Sequence, residues 1–253
     1  MRQCIALARV AIVVPCYNEA ERLDGDAFRQ FDLPGHHIEL LFVDDGSRDD
    51  TPRVLETLHA SAPQRISIIR LERNRGKAEA VRRGIVAAAE RGFDYIGFWD
   101  ADLATPLSEL PAFLEVLEKD PAIAMVFGAR VRLLGRDIRR RPARHYSGRV
   151  GATLISSTLG LAVYDTQCGA KLFRCTPDLR EVFATPFRAR WIFDVEIIAR
   201  FIQRWGRERV ARSLYELPLT HWHDIGGSKV KALDFVRSLR ELWTIHRAYN
   251  ARR

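Results

Sequence analysis

The chain has 253 residues, of which 47% are hydrophobic, 28% charged and 9% aromatic, with 16 Gly and 11 Pro. Such a chain can bury a substantial core, which excludes collagen-like, low-complexity and disordered classes and fits a single large domain over residues 1–253. The formal net charge of +8 is uneven: Arg130 to Arg149 carries eight arginines against Asp137 alone, Lys229 to Arg253 carries seven basic residues against Asp234 and Glu241, and the remainder is mildly acidic.

In chain order, Arg9–Val14, Glu39–Val43, Ile66–Ile69, Tyr95–Trp99 and Ala124–Phe127 are short apolar or β-branched runs suited to buried strands. Helix signals lie between them. Thr51-Pro52 reads as an N-cap followed by proline, Lys77 to Arg91 sets Ala78, Val81, Ile85 and Ala88 on one face before Gly92, and Ser108 reads as the cap of a helix carrying Leu110, Phe113, Leu114 and Leu117. The second half is less regular, with helices expected at about Ala143–Leu161, Phe193–Trp205 and Val230–Ala248. Strands alternating with helices predict an α/β fold with a mainly parallel, doubly wound sheet, whose ligand site lies beyond the carboxyl ends of the strands.

Three polar loops follow predicted strands: Pro15-Cys16-Tyr17-Asn18-Glu19, Asp44-Asp45-Gly46-Ser47 and Asp100-Ala101-Asp102. An Asp-x-Asp turn can direct one carboxylate to a ribose hydroxyl and the other to a hard divalent cation that bridges a diphosphate. Each motif alone is ordinary turn chemistry, and their shared place at strand ends is the stronger signal. Neither a Gly-x-Gly-x-x-Gly after the first strand nor a P-loop is present, and Asn74-Arg75-Gly76-Lys77 offers basic groups at a helix start instead. The four cysteines form no C-x-x-C pair and no signal-peptide core follows Met1, so a cytoplasmic compartment is expected. Val150–Tyr164, the longest uncharged stretch near the middle, has 15 residues against the ~20 a bilayer span requires.

VVPCYNEAERL, FVDDGSRDDT, NRGKAEAVRRGI and WDADLATP together resemble family 2 glycosyltransferases, with the GT-A nucleotide-diphospho-sugar fold. Gly128-Ala129-Arg130, Asp165 to Phe173, Trp191 to Glu196 and Gly226-Gly227-Ser228-Lys229 are similar to the branch acting on polyprenyl phosphates, the dolichyl-phosphate β-glucosyltransferases in particular. Within that branch the C-x-x-K-L-F wording favours glucose-type over mannose-type enzymes, whose stretch usually reads T-S-G-F-R. The resemblance implies that Pro15, Tyr17, Asn18, Glu19, Asp44 and Asp45 hold the nucleotide, that Asp100 faces nucleotide or sugar, and that Asp102 binds Mg²⁺ or Mn²⁺. It further implies that Lys77 and Arg130 meet donor phosphates, that Arg130, Arg144 and Lys229 meet the acceptor phosphate, and that Asp102, Asp194 and Lys229 are catalytic. Ala104 and His223 stand where mannosyl members often carry Gln and Arg.

The reaction so implied is an in-line displacement at the anomeric carbon with inversion, moving glucose from UDP-glucose to a polyprenyl phosphate. A lipid phosphate is already anionic and needs no general base, whereas a sugar hydroxyl does, so the acceptor decides the role of Asp194. Asp194 and Glu196 are two apart and point to different sides of their helix, which buries Val195, Ile198, Ala199 and Ile202; Asp194 is equally readable as a first-turn acid favoured by the helix dipole. The basic segment 130–163, with Arg139, Arg140, Arg141 and Arg144, suits peripheral contact with an anionic membrane surface and the acceptor phosphate, and a basic amphipathic helix is expected over about 230–248. The alternatives for the apolar part, Val150–Val163, are a core helix and a homodimer contact.

His36, His37, His221 and His223 show no zinc spacing with Cys168 or Cys175. Trp99, Met125, Trp191 and Phe193 fit core or pocket-wall packing. Three alternatives remain open at this stage: GDP-mannose as donor, a soluble hydroxyl acceptor, and, from a different class, a basic nucleic-acid-binding module whose affinity would fall steeply with salt. No nucleic-acid partner is expected.

Overall fold

In the computed structural model residues 7–139, 142–225 and 232–249 are described, with the side chains of 142–148 and 232–236 outside that set. The elements run β1 (Ala8–Cys16), α1 (Gly25–Gln30), β2 (His36–Asp44), α2 (Thr51–Ser61), β3 (Ile66–Arg70), α3 (Lys77–Ala89) and β4 (Tyr95–Trp99). A 3₁₀ turn (Leu107–Glu109) leads into α4 (Leu110–Lys119), followed by β5 (Met125–Ala129), β6 (Asp137–Arg139), α5 (Pro142–Leu159), β7 (Ala170–Arg174) and α6 (Pro177–Ala184). The chain continues through α7 (Phe193–Trp205), α8 (Arg207–Ser213), β8 (Leu214–Pro218), β9 (His221–His223) and α9 (Ala232–Tyr249).

Seven strands form one sheet in the order β3-β2-β1-β4-β7-β5-β8, and β6 pairs with β9 in a small separate ribbon. All neighbours in the large sheet are parallel except β7, which runs antiparallel to β4 and β5. Cys16 lies opposite Asp44, Val13 opposite Phe98, and Trp99 opposite Ala170. The loops leaving β1, β2 and β4 and the segment entering β7 therefore share one edge of the sheet, as a doubly wound topology requires.

The period-2 alternation of β1 divides the core. Ala11 and Val13 face a layer made by α3, α6, α7 and α9, while Val10, Ile12 and Val14 face α1, α2 and α4. Helix α3 lies close on the sheet because position 84 is glycine: a Cβ there would stand 2.3 Å from a Val13 methyl. This contact seats the helix that carries Lys77 at its start.

Four local expectations are corrected. Thr51 is the first residue of α2 rather than its cap, which is Asp50, and its hydroxyl instead accepts from the Glu19 amide at 2.8 Å. Ser108 does not cap α4; it sits in the 3₁₀ turn, and the Glu109 carboxylate at that turn is drawn to the amides of Thr220 and His221. Helix α7 is buried from Phe193 through Ile202, not along a single stripe, because α5, α6, α8 and α9 all pack on it. The irregular second half contains β6 to β9, α6 and α8 in addition to the three expected helices. β7 was hidden by its second residue, Lys171, which folding buries completely.

Candidate functional site

The first two loops are laced together by backbone capture. Asn18 adopts a left-handed conformation (φ 51°), its amide donates to Ser47 Oγ at 3.0 Å, and its side-chain oxygen accepts from the Arg48 amide at 2.9 Å. Short polar side chains tolerate that conformation, which is why Asn suits the position. Asp44 accepts from the Ser47 amide at 2.9 Å and closes the turn after β2. Asp45, expected on the nucleotide, has both oxygens on backbone amides, those of Arg75 at 2.7 Å and Gly76 at 2.8 Å, and so ties the start of α3 to this edge. Burial pushes the Asp45 carboxyl up, with these amides opposing.

The Asp-x-Asp turn is set by the buried Trp99 indole, which donates to the Thr105 carbonyl at 2.7 Å, and by the Asp100 amide, which donates to the Gly169 carbonyl at 3.0 Å. Gly169 is needed here because a Cβ would fall 1.8 Å from Asp100 Oδ2. Asp100 forms an ion pair with the Lys77 ammonium. Asp102 accepts from the Ala104 amide at 3.2 Å and lies 3.8 Å from Arg22, which also pairs with Glu19 at 2.5 Å. Burial, then the neighbouring Asp100, pushes the Asp102 carboxyl up. Burial pulls the Lys77 ammonium down, but Asp100, Asp194 and Asp102 outweigh it and hold the group above its ordinary value.

Asp194 comes from the first turn of α7 and faces this cluster; the spacing of the two acids separates them without saying which one faces the site. It pairs with Lys171 Nζ at 2.6 Å, and that ammonium also donates to the Cys168 carbonyl at 2.6 Å and stands 5.1 Å from the centre of the Phe98 ring. Glu196 turns away into the core, to Arg200 and the Tyr249 hydroxyl at 2.8 Å each. At the end of β5, Arg130 grips Asp165 through Nε at 2.6 Å and Nη2 at 2.7 Å, with its guanidinium 5.2 Å from the Trp222 ring centre. The carboxylate of Asp165 raises the Arg130 guanidinium's proton affinity against the opposing effect of burial.

The structure thus brings together Lys77, Asp100, Asp102 and Asp194, with Asp44 closing the turn after β2, Tyr17, Asn18 and Glu19 on the loop after β1, and Arg130 at the end of β5. Lys229 lies outside the described residues, as do Arg140 and Arg141, and Arg144 lies on α5 with its side chain outside the described set. Three residues were not singled out from sequence: Arg22, Asp165 and Lys171. Arg22 follows Glu19 by three, and the other two sit inside the Asp165–Phe173 motif, so spacing and motif already carried the signal. His36, His37, His221 and His223 pair separately with Glu118, Glu39, Glu109 and Asp137. Trp99, Met125 and Phe193 are core, while Trp191 is 40% exposed.

Asp100 and Asp102 set two hard carboxylates two residues apart on one turn, and burial together with the neighbouring Asp100 holds the Asp102 carboxyl up despite Arg22 and Lys77, so these residues fit a divalent cation. Among the described residues no three His, Cys, Asp or Glu side chains form a metal cage. Two carboxylates completed by diphosphate and water is the usual manner of holding Mg²⁺.

Residues 11–180 match the family model described as glycosyl transferase family 2. The chain is 30% identical over 263 residues to the dolichyl-phosphate beta-glucosyltransferase of Saccharomyces cerevisiae, covering 95% of this chain and 75% of that protein. It is 31% identical over 236 residues to the Homo sapiens protein of the same name, covering 88% and 69%. Among solved structures, glucosyl-3-phosphoglycerate synthase from Mycobacterium tuberculosis with Mn²⁺, UDP and glucosyl-3-phosphoglycerate superposes with a TM-score of 0.66 at 19% identity, over 96% of this chain and 80% of that one. The same synthase with Mn²⁺ and UDP-glucose gives 0.67 at 18% identity, over 96% and 79%. These structures establish the GT-A-like fold: a mostly parallel mixed sheet flanked by helices.

Proposed function

The chain belongs to family 2 of the glycosyl transferases, and from that premise we propose that it transfers glucose from UDP-glucose to a polyprenyl or dolichyl phosphate, with inversion and with Mg²⁺ or Mn²⁺. The observation that carries this reading is the convergence of Asp100, Asp102, Lys77 and Asp194 at the carboxyl edge of the sheet, in a chain whose relatives bear the name dolichyl-phosphate beta-glucosyltransferase.

In this reading Pro15, Tyr17, Asn18, Glu19 and Asp44 line the nucleoside, and Asp45 supports them by holding the loop that begins α3. Asp100 and Asp102 would hold the cation, whose positive charge would supply electrostatic stabilisation to a departing diphosphate. Lys77 stands on Asp100 and adds a fixed positive charge beside the leaving group, whose developing negative charge it stabilises. An oxygen of the acceptor phosphate forms the bond to the anomeric carbon as the bond to the nucleoside diphosphate breaks, so an α-linked donor yields a β-linked product. The phosphate is anionic before it binds, and no proton has to be removed. Asp194, paired with Lys171 and close to Lys77, therefore orients the cationic groups and is not required as a base. Arg130, fixed by Asp165, presents its remaining guanidinium edge to phosphate.

The test is transfer of labelled glucose from UDP-glucose into organic-extractable polyprenyl phosphate, with EDTA and with GDP-mannose in parallel arms. EDTA-sensitive lipid label from UDP-glucose is expected. Label from GDP-mannose alone would reassign the donor, and label only on a hydroxyl acceptor would return Asp194 to the role of base.

A further inference from the structure

Four consecutive backbone amides precede the first turn of α7, and all four end on two carboxylates. Ala189 donates to Glu196 at 2.8 Å, while Arg190, Trp191 and Ile192 donate to Glu241 at 3.1, 2.9 and 3.0 Å. Glu196 belongs to α7 itself, so that bond is local. Glu241 belongs to α9, 49 to 51 residues further along the chain. A carboxylate accepting several amides at a helix start supplies the charge-assisted bonds that those orphan donors lack.

The turn held in this way leads to Asp194 in one direction and to the start of the helix bearing Lys77 in the other. Ile192 is the N-cap of α7, and Asp194 follows within the first turn. In the other direction, the Arg190 side chain crosses to the Arg75 carbonyl at 3.2 Å and lies against Gly76, the residue before Lys77. The amides of Arg75 and Gly76 are themselves bound to Asp45. One acid on the C-terminal helix is thus connected through a single turn to the residue that pairs with Lys171 and to the start of the helix bearing Lys77.

We propose that Glu241 is a positioning residue for this transferase: it fixes the Arg190–Ile192 turn and thereby sets Asp194 and Lys77 relative to each other. The proposal rests on the transferase reading for its effect on rate, but the connection itself is testable without turnover. Glu241→Gln is nearly isosteric and retains one acceptor oxygen, but it turns an NH₂ group toward amides that need acceptors. Amide hydrogen exchange of the full-length variant is expected to speed up about 10-fold at 190–192 and also at Arg75 and Gly76, at a melting temperature close to wild type, because local opening is decoupled from global unfolding. In the transfer assay kcat is expected to fall about 10- to 100-fold with the acceptor KM unchanged, the mark of misplaced groups rather than lost binding. Unchanged exchange at Arg75 and Gly76 overturns the proposal, and so does wild-type kcat in a variant whose turn has loosened. If Glu241→Ala fails to fold, the glutamine variant still carries both measurements. A wild-type chain that transfers no sugar would sink the functional reading, while exchange would still decide the clamp.

Discussion

Asp102 and Gly169 show how single atoms set this site. The Asp102 carboxyl lies on the loop after β4, beside Asp100 and outside the apolar core, so Asp102→Asn should leave the fold intact and remove the response to metal. We expect kcat about 10³-fold lower, the several kcal/mol a bound cation contributes to stabilising a departing diphosphate, and no Mn²⁺-dependent rise in melting temperature where the wild type shows one. Wild-type turnover in this variant would end the assignment of Asp102 to the cation. Gly169→Ala tests the neighbour from the opposite direction: its methyl must displace Asp100, since the Cβ would overlap the carboxylate at 1.8 Å. A loss of activity about 10²-fold, disproportionate to any change in melting temperature, is the expected result, measured by transfer kinetics beside thermal unfolding.

At the scale of elements, the five strands and the helices α2, α3 and α4 of the first half were legible because each is a short apolar run or a 3.6-period face with turn residues between, whereas α1, six residues with one buried side chain, Phe28, was not. The same physics explains what was not legible. β7 reads Ala-Lys-Leu-Phe-Arg, and a lysine predicts exposure unless something pairs with it; the partner, Asp194, lies 23 residues later on another element. β6 and β9 have three residues each and exist only because they pair with one another. The site was legible as three strand-end loops, and the structure adds that Asp45 organises backbone and that Arg130 is clamped by Asp165.

Helix α3 supplies an element-scale prediction. Glu79 in its first turn binds Arg82 at 2.7 Å and Arg83 at 2.8 Å, and these guanidinium groups, Arg82 first, hold its carboxyl below its ordinary value. A depressed carboxyl contributes stability above its unfolded pKa, and that contribution is lost as pH falls through the lower folded value. Glu79→Gln should therefore cost about 1 kcal/mol at pH 7, as expected for a partly buried ion pair at a helix N-terminus. The difference should vanish in strong acid. Denaturant unfolding at pH 7 and at pH 3 would check this, and an equal deficit at both would show that packing, not charge, is responsible.

At the scale of the molecule, the charge imbalance and the apolar exposure coincide. Among the described residues no helix is long and apolar enough to cross a membrane. Helices α5 and α9 touch each other, and each presents large apolar side chains one turn apart to solvent: Val150 and Leu154 on α5, Leu239 and Trp243 on α9. Arg149, at the exposed part of α5, stacks on Tyr164 at 4.0 Å, and Arg247 on α9 stacks on Trp243 at 4.7 Å, so each helix sets a basic group against an aromatic ring. We propose that these exposed apolar and basic groups meet the headgroup region of an anionic bilayer, where each basic residue near the surface adds about 1 kcal/mol. Co-sedimentation with vesicles containing phosphatidylserine should therefore be strong at low ionic strength and weaken in 0.5 M salt, because the basic groups act within about a Debye length. Replacing both Leu239 and Trp243 by Ala should reduce binding further at every salt concentration, since apolar burial is not screened. Equal binding to neutral and anionic vesicles would remove the electrostatic half of this reading, and no binding to either would leave α5 and α9 with an aqueous role.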